Sequence, residues 1–278
     1  MDRSLRRRLA LALACAAPLA SSCLPDEPTR PLAIDFVGVV GERPFECGAS
    51  YEGIGTSAST LVGGDFRFYV HDVRVTTEDG LEHAVRLADD GVWQNGGVAL
   101  IDFEDGGSGC DGGNAPTNAR LVGTIPESAA GITGVRFRVG VPEPRNHLDA
   151  ATAPSPLNLT AMFWGWEAGY RFLRVEGATS GQPSWRLHVG ATGCSGSARE
   201  GTRTCAQRNE AVIALDEYDP EIDVIVADLE SLLATSDLDS DGGGAPGCES
   251  AASDPECAVL FEALGISGSQ SFFRVGPR

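Results

Sequence analysis

Along most of this chain, apolar and polar residues alternate in short runs, and turn residues separate the runs at short intervals. In "DFRFYVHDVRVTT" (65–77), Phe66, Phe68 and Val70 alternate with Arg67, Tyr69 and His71, the period of a half-buried strand. "LAIDFVGVV", "GVALIDFE", "GVRFRVGV", "YRFLRVEG" and "SWRLHVG" read as further strands. In "MFWGWEAGYRF", an extended chain would put Met162, Trp164, Trp166, Ala168, Tyr170 and Phe172 on one face. Helical spacing is absent before residue 220. "EIDVIVADLESLLAT" then places Ile222, Ile225, Val226, Leu229, Leu232 and Leu233 on one stripe and predicts a helix. "DPECAVLFEALG" predicts a second, with Asp254 as its cap and Pro255 in its first turn. The pattern predicts a mainly β protein: one β-sandwich-like domain with a small helical, disulfide-clipped C-terminal part.

The first residues do not belong to that pattern. Three consecutive arginines precede an apolar run from Leu9 to Ala20, then small residues up to Cys23. Residues 1–22 read as a secretory signal peptide, too short to span a bilayer. "LASSC" resembles a lipoprotein signal, which makes Cys23 a candidate for lipidation and places the protein in the periplasm or lipid-anchored at the cell surface. Residues 23–31, rich in Pro and charge, read as a tether, and the domain proper as 32–278.

Export changes how the cysteines are read. Cys47, Cys110, Cys194, Cys205, Cys248 and Cys257 make an even count, which predicts three disulfides. Short loops favour Cys194–Cys205 and Cys248–Cys257, leaving Cys47–Cys110. A zinc site fits less well, since no Cys-x-x-Cys occurs.

Charge removes one class of function. The formal net charge is −18, which argues against nucleic acid, because phosphate binding needs a cationic face. An acidic surface instead suits a cation or a basic partner. Catalytic motifs are also missing: no Gly-x-Ser-x-Gly, His-Glu-x-x-His or P-loop occurs. "DLDSDGGG" offers Asp237, Asp239, Asp241 and Gly242 in the order of a calcium loop, but Cys248 stands where the bidentate Glu belongs. A solvated acidic loop is the plainer reading, with calcium as the alternative.

Four histidines remain. His83 sits at a turn-and-strand edge, and His71 follows an aromatic strand, where a structural role suffices. His147 lies in a Pro-rich loop and His188 in "WRLHVG"; together they flank the tryptophan-rich stretch and form a candidate two-imidazole metal site. Taken singly, each also reads as a hydrogen-bonded core histidine.

The blocks "VWQNGGVALIDFEDGGSGC", "VRFRVGVPEPRNHLD", "SPLNLTAMFWGWEAGYRFLRVEG", "LHVGATGC" and "GCESAASDPECAVLFEALGI" resemble, in this order, the MbnP family. These are the metallo-mystery pair four-Cys motif proteins, associated with methanobactin operons. The resemblance runs from about Leu32 to the C-terminus. It implies an exported copper-binding protein that is not itself an enzyme. The copper, Cu(I) in the first instance, would be held by two histidines and a kynurenine made from tryptophan. The partner that makes the kynurenine is an MbnH-like di-haem c-type peroxidase-like protein. On this chain the ligands would be His147 and His188. The candidates for oxidation are Trp166 first, then Trp164 and Trp185, with Trp93 in another family-like block. One departure is Glu249, where the resemblance leads one to expect Met, a soft copper ligand. The competing reading is an extracellular β-sandwich recognition module with structural histidines and no metal.

Overall fold

The computed structural model describes residues 27–107, 109–110, 116–251 and 253–278. The signal sequence and Cys23 lie outside the described residues. Part of the expected tether does not: Thr29–Pro31 open the first strand, Thr29–Val40, which pairs with Arg120–Pro126 from Thr29↔Pro126 onward.

Two main sheets face each other. The smaller runs, in spatial order, Phe273–Pro277, Asp223–Asp228, Thr29–Val40, Arg120–Pro126, Arg86–Leu87. The larger runs Ala211–Asp216, Ile132–Val139, Ser59–Thr77, Leu173–Ala178, Trp185–Val189, Gly247–Cys248, with Ser50–Ile54, Glu82–Ala84 and Val98–Asp102 also paired to the long strand Ser59–Thr77. Between the sheets lies an aromatic core. The Phe273 ring lies 5.5 Å from Phe68 and 5.2 Å from Phe137, both nearly perpendicular, and Phe36 meets Phe68 and Phe137 edge-on. Edge-to-face pairs of this kind add stabilisation beyond their buried area. Leu229, Leu232, Leu233, Leu260 and Leu264 close this core from two short helices. The mainly β, sandwich-like single domain with a small helical C-terminal part is the fold the alternation predicts. No helix among the described residues is long and apolar enough to cross a membrane.

Two expected elements differ. The stripe in 221–235 is helical only over Leu229–Leu233; Asp223–Asp228 is a strand, parallel to Thr29–Val40 (Phe36↔Ile225 to Val39↔Asp228). A central strand buried on both sides reads as a continuous apolar run, and β-branched Val224, Ile225 and Val226 suit it better than a helix. Ile222, counted on the stripe, is exposed. The second discrepancy is the long strand. Residues 65–71 are buried on both faces, where a half-buried pattern was expected. The cause is a second apolar cluster on the outer side of the larger sheet, where Tyr69, Val98, Leu100, Val141, Leu157, Met162, Tyr170 and Phe172 pack together. The segment 140–172 folds over that face, and its carbonyls satisfy the buried phenols: Tyr69 donates to Pro156 O at 3.0 Å and Tyr170 to Leu157 O at 2.7 Å.

The three disulfides are Cys47–Cys110, Cys194–Cys205 and Cys248–Cys257, as loop length suggests. The second helix starts later than expected: it runs Cys257–Leu264 with Glu256 at its N-cap. Asp254 and Pro255 precede it instead of capping it and filling its first turn, although Asp254 still meets the backbone at the helix start. The Asp254 carboxylate accepts from Glu256 N at 3.2 Å and its carbonyl from Cys257 N at 3.3 Å.

Candidate metal centre

His188 lies on the strand Trp185–Val189, whose alternation sends Trp185, Leu187 and Val189 into the main core and His188 to the opposite, covered face. Cross-strand register builds a polar ladder there. Arg67, Arg174 and His188 lie directly opposite one another on three adjacent strands, and Asp65, Glu176 and Arg186 form the next rung. Each side chain is paired along the ladder. Arg67 grips Asp65, Asp65 meets Arg174 at 3.1 Å, Arg174 meets Glu176 at 2.9 Å, and Glu176 meets His188 Nε2 at 2.6 Å. Asp65 and Arg67 are fully buried, where an unpaired charge would be costly.

The imidazole is set by its neighbours. Arg171 Nε donates to His188 Nδ1 at 3.3 Å, so Nδ1 carries the lone pair and Nε2–H donates to Glu176. Burial holds the His188 pKa below its usual value, against the opposing hydrogen bond that the ring donates to Glu176, and so favours the neutral imidazole. Burial alone would raise the Glu176 pKa, but hydrogen bonds from His188 and Arg174 hold it well below the ordinary carboxylate range. Burial and the neighbouring Arg174 bring Arg171 down to about 10. A neutral imidazole with its N–H fixed by a carboxylate is the arrangement in which metal-ligating histidines are found.

Two further groups stand beside the imidazole. Glu249 Oε1 lies 3.5 Å from His188 Nδ1. Its place follows from the backbone, because Gly247–Cys248 pairs in parallel with Arg186–Leu187. Ser250 then fastens the chain beyond, donating to His188 O at 2.8 Å and accepting from Gly190 N at 2.9 Å. The Trp164 ring centroid is 6.2 Å from that of His188, and the Arg171 guanidinium carbon is 5.3 Å from the Trp164 centroid. Trp164 also covers Gly190 so closely that a Cβ there would lie 2.3 Å from Cζ3 of the indole.

The tryptophan stretch is not one extended strand. Phe163–Gly165 and Gly169–Tyr170 form a small hairpin (Phe163↔Tyr170) that turns at Trp166–Ala168. The shared face expected for Met162 through Phe172 is therefore broken by the turn. Trp164 points to His188, while Trp166 sits on the turn, 41 % exposed, with Arg199 over its ring. Trp185 is fully buried in the main core, on the side of the strand away from His188. Trp93 packs against the second apolar cluster.

His147 stands at the other side of the hairpin. Its Nδ1 donates to Trp166 O at 2.9 Å and its Nε2 lies 3.3 Å from Cys205 Sγ. No contact among the described residues joins it to His188. It converges instead with the Cys194–Cys205 disulfide. His71 faces Glu210 at 3.4 Å, and His83 lies on the short strand Glu82–Ala84. The carboxylates of the acidic loop are engaged locally: Asp237 with Asp239 N, Asp241 with Gly243 N, and Asp239 with Ser59 Oγ and Gly181 N.

Arg171, Arg174 and Glu176 were missed as site residues. For Arg174 and Glu176 the signal was their alternation with Leu173 and Val175, which puts both on the face that carries His188, Arg174 directly opposite it; Arg171 lies before that strand and had no such signal.

The MbnP family profile matches residues 29–250 of this chain. Among solved structures, MbnP from Methylosinus trichosporium is similar, with a TM-score of 0.81 and 31% sequence identity, over 90% of this chain and 99% of that one. A search of curated proteins found no match.

Proposed function

Given that the chain belongs to the MbnP family, we propose that it is an exported copper-binding protein centred on His188, with Trp164 as the precursor of a kynurenine ligand. The observation that carries this reading is the convergence of Glu249 and Trp164 beside one buried imidazole. Arg171 and Glu249 stand at His188 Nδ1, the Trp164 ring lies 6.2 Å from the imidazole, and Glu176 holds the opposite nitrogen. The residues present fit a copper ion, for neutral imidazole is a good copper ligand and a carboxylate an acceptable one. Arg171 has to give up its hydrogen bond to Nδ1 for a metal to take that lone pair. An intact indole is a poor ligand, because its nitrogen lone pair belongs to the ring system; opening the ring to kynurenine frees an aryl amine.

That conversion is a four-electron oxidation that adds two oxygens across the indole C2–C3 bond and cleaves it, after which water releases the C2 carbon as formate. Net, it removes one carbon and adds one oxygen, and its oxidising equivalents come from outside the chain. A di-haem c-type peroxidase-like protein of the MbnH kind supplies them, with this protein as its substrate. MbnP proteins are not known as catalysts. The acidic surface favours approach of a cation.

The test is copper content by elemental analysis, with peptide mass spectrometry, on protein produced together with the di-haem partner. Copper is expected at one ion per chain. His188→Ala loses it; His147→Ala, at the other side of the hairpin, keeps it. Oxidised mass is expected in the Trp164 peptide and not at Trp166 or Trp185. Full copper retention in His188→Ala would sink the proposal.

A further inference from the structure

The three disulfides sit in different chemical surroundings. Cys47–Cys110 has the Glu104 carboxylate beside it and Cys248–Cys257 the Asp254 carboxylate, whereas Cys194–Cys205 has the imidazole of His147. A neighbouring carboxylate opposes a thiolate, and a neighbouring imidazole supports one. Cys110, Cys248 and Cys257 are buried, while Cys194 and Cys205 are both half-buried. The latter two stand directly opposite each other in the hairpin of Thr192–Ser195 with Thr204–Gln207, which pairs with no other strand among the described residues. Opening this bridge therefore leaves the ladders of both main sheets intact.

His147 is held in one tautomer. The Trp166 carbonyl only accepts, so the proton sits on His147 Nδ1, 2.9 Å away. Asn146 agrees: its Oδ1 accepts from Tyr170 N at 3.0 Å, which turns its Nδ2–H toward His147 Nε2 at 3.4 Å. The Nε2 lone pair faces the Cys205 sulfur, the nearer contact at 3.3 Å.

We propose that Cys194–Cys205 is a redox-active disulfide, a site of thiol–disulfide exchange with a dithiol, in which His147 stabilises Cys205 as the leaving thiolate. The inference does not depend on the copper reading. One thiolate of the dithiol attacks Cys194 Sγ, the S–S bond breaks, and its electron pair leaves on Cys205 Sγ. The proton released by the attacking thiol is taken up by His147 Nε2, which gives a thiolate–imidazolium pair. The second thiol of the reagent then attacks the mixed disulfide at the reagent's own sulfur. Cys194 leaves with the second proton, and the reagent departs as a disulfide, oxidised by two electrons. A lowered pKa makes Cys205 the better leaving group and favours the reduced form. Of the other charged groups on this side, Arg208 pairs with Glu143, Arg203 with Glu167 and Glu210 with Arg138. The imidazole is thus the group that answers a new charge on Cys205.

The experiment uses the mature protein under native conditions, with no copper added. It is incubated with dithiothreitol for rising times, quenched with N-ethylmaleimide and mapped by peptide mass spectrometry. Cys194 and Cys205 should take the label at least about tenfold ahead of the other four cysteines, with circular dichroism unchanged. In the reduced protein, the rate of Cys205 alkylation by iodoacetamide should rise at a pH below the free-thiol value of about 8.5. His147→Gln keeps a hydrogen-bonding side chain that cannot hold the proton. It should return that profile toward the free-thiol value and shift the exchange equilibrium about tenfold toward the disulfide, about 30 mV for two electrons. Equal resistance of all three disulfides, or earlier reduction of either carboxylate-flanked pair, would overturn the proposal. So would early reduction of Cys194–Cys205 with rate and pH profile unmoved by His147→Gln, since exposure alone would then account for it.

Discussion

Gly190 has no side chain because Trp164 occupies the space where one would be, with Cζ3 2.3 Å from an ideal Cβ and the Tyr170 carbonyl oxygen at 2.7 Å. Gly190→Ala therefore has to push the indole away from His188. A penalty of about 1–3 kcal/mol is expected from overpacking, and the yield of modified Trp164 should fall while the fold persists. Thermal melting and peptide mass spectrometry on the same preparation separate the two effects. Asp102 makes a second prediction at this scale. It is fully buried beside Arg67 and Glu104, and its Oδ1 accepts from Glu104 N at 2.9 Å while its Oδ2 has no partner. Desolvation raises its pKa to about 7, against the opposing charge of Arg67. In the unfolded chain an Asp titrates near pH ~3.9. Between those values the native state holds a proton that the unfolded state has lost, so stability falls as pH rises from about 4 to about 7. The ceiling for this loss is roughly 4 kcal/mol. Asp102→Asn, which stays neutral, should flatten the profile; denaturation midpoints at the two ends of the window are the measurement. Of the residues at the candidate site, His188 and Trp164 were visible in the sequence because their types are rare and chemically distinctive. Arg171, Arg174 and Glu176 were not, since in a chain with so many Arg and Glu only strand register tells which of them face an imidazole.

At the level of elements, strands rich in alternation were legible, and the misreadings came where a second constraint acted. The run 223–228 carries helical spacing by coincidence, but it is a central strand, and its last residue starts the helix Leu229–Leu233. Asp228 accepts from Glu230 N at 3.0 Å, from Ser231 Oγ at 3.0 Å and, across the chain, from Gly41 N at 2.9 Å. The side chain thus serves both as helix cap and as anchor of the turn after the first strand. Asp228→Ala is expected to cost about 1–2 kcal/mol, the upper part of the range for lost caps. Chemical denaturation would show it, and a change within error of zero would mean that water replaces all three bonds. The tryptophan hairpin was misread for a related reason: with Gly165 and Gly169 both at positive φ, the chain can turn within a stretch whose side chains look continuous.

On the scale of the molecule, the two-sheet core is closed by the C-terminal strand. Phe272 and Phe273 insert between the sheets, and Phe273 touches Phe68, Phe137 and Phe272. Phe273→Ala should cost about 3–5 kcal/mol, and thermal unfolding would register it as one cooperative shift if the two sheets share a core. Alternation and cysteine spacing were enough to anticipate this architecture and its disulfides. The second apolar layer over the larger sheet was not anticipated, because the loop 140–172 that builds it has no regular period of its own.

The ladder Arg67–Asp65–Arg174–Glu176–His188 has a bearing on engineering. A metal-binding histidine is usually treated as portable, a side chain to be set into another scaffold with its immediate neighbours. This one draws its tautomer from a carboxylate paired with Arg174 on its own strand, and Arg174 in turn meets Asp65, which the fully buried Arg67 holds two strands from the imidazole. A transplant of His188, Trp164 and Glu249 alone would carry over the donors and leave behind the counter-charges that keep the imidazole neutral and aimed. The smallest transferable unit is a patch three strands wide with both of its rungs, and a designer who moves less should expect a histidine that protonates or rotates before it meets a metal.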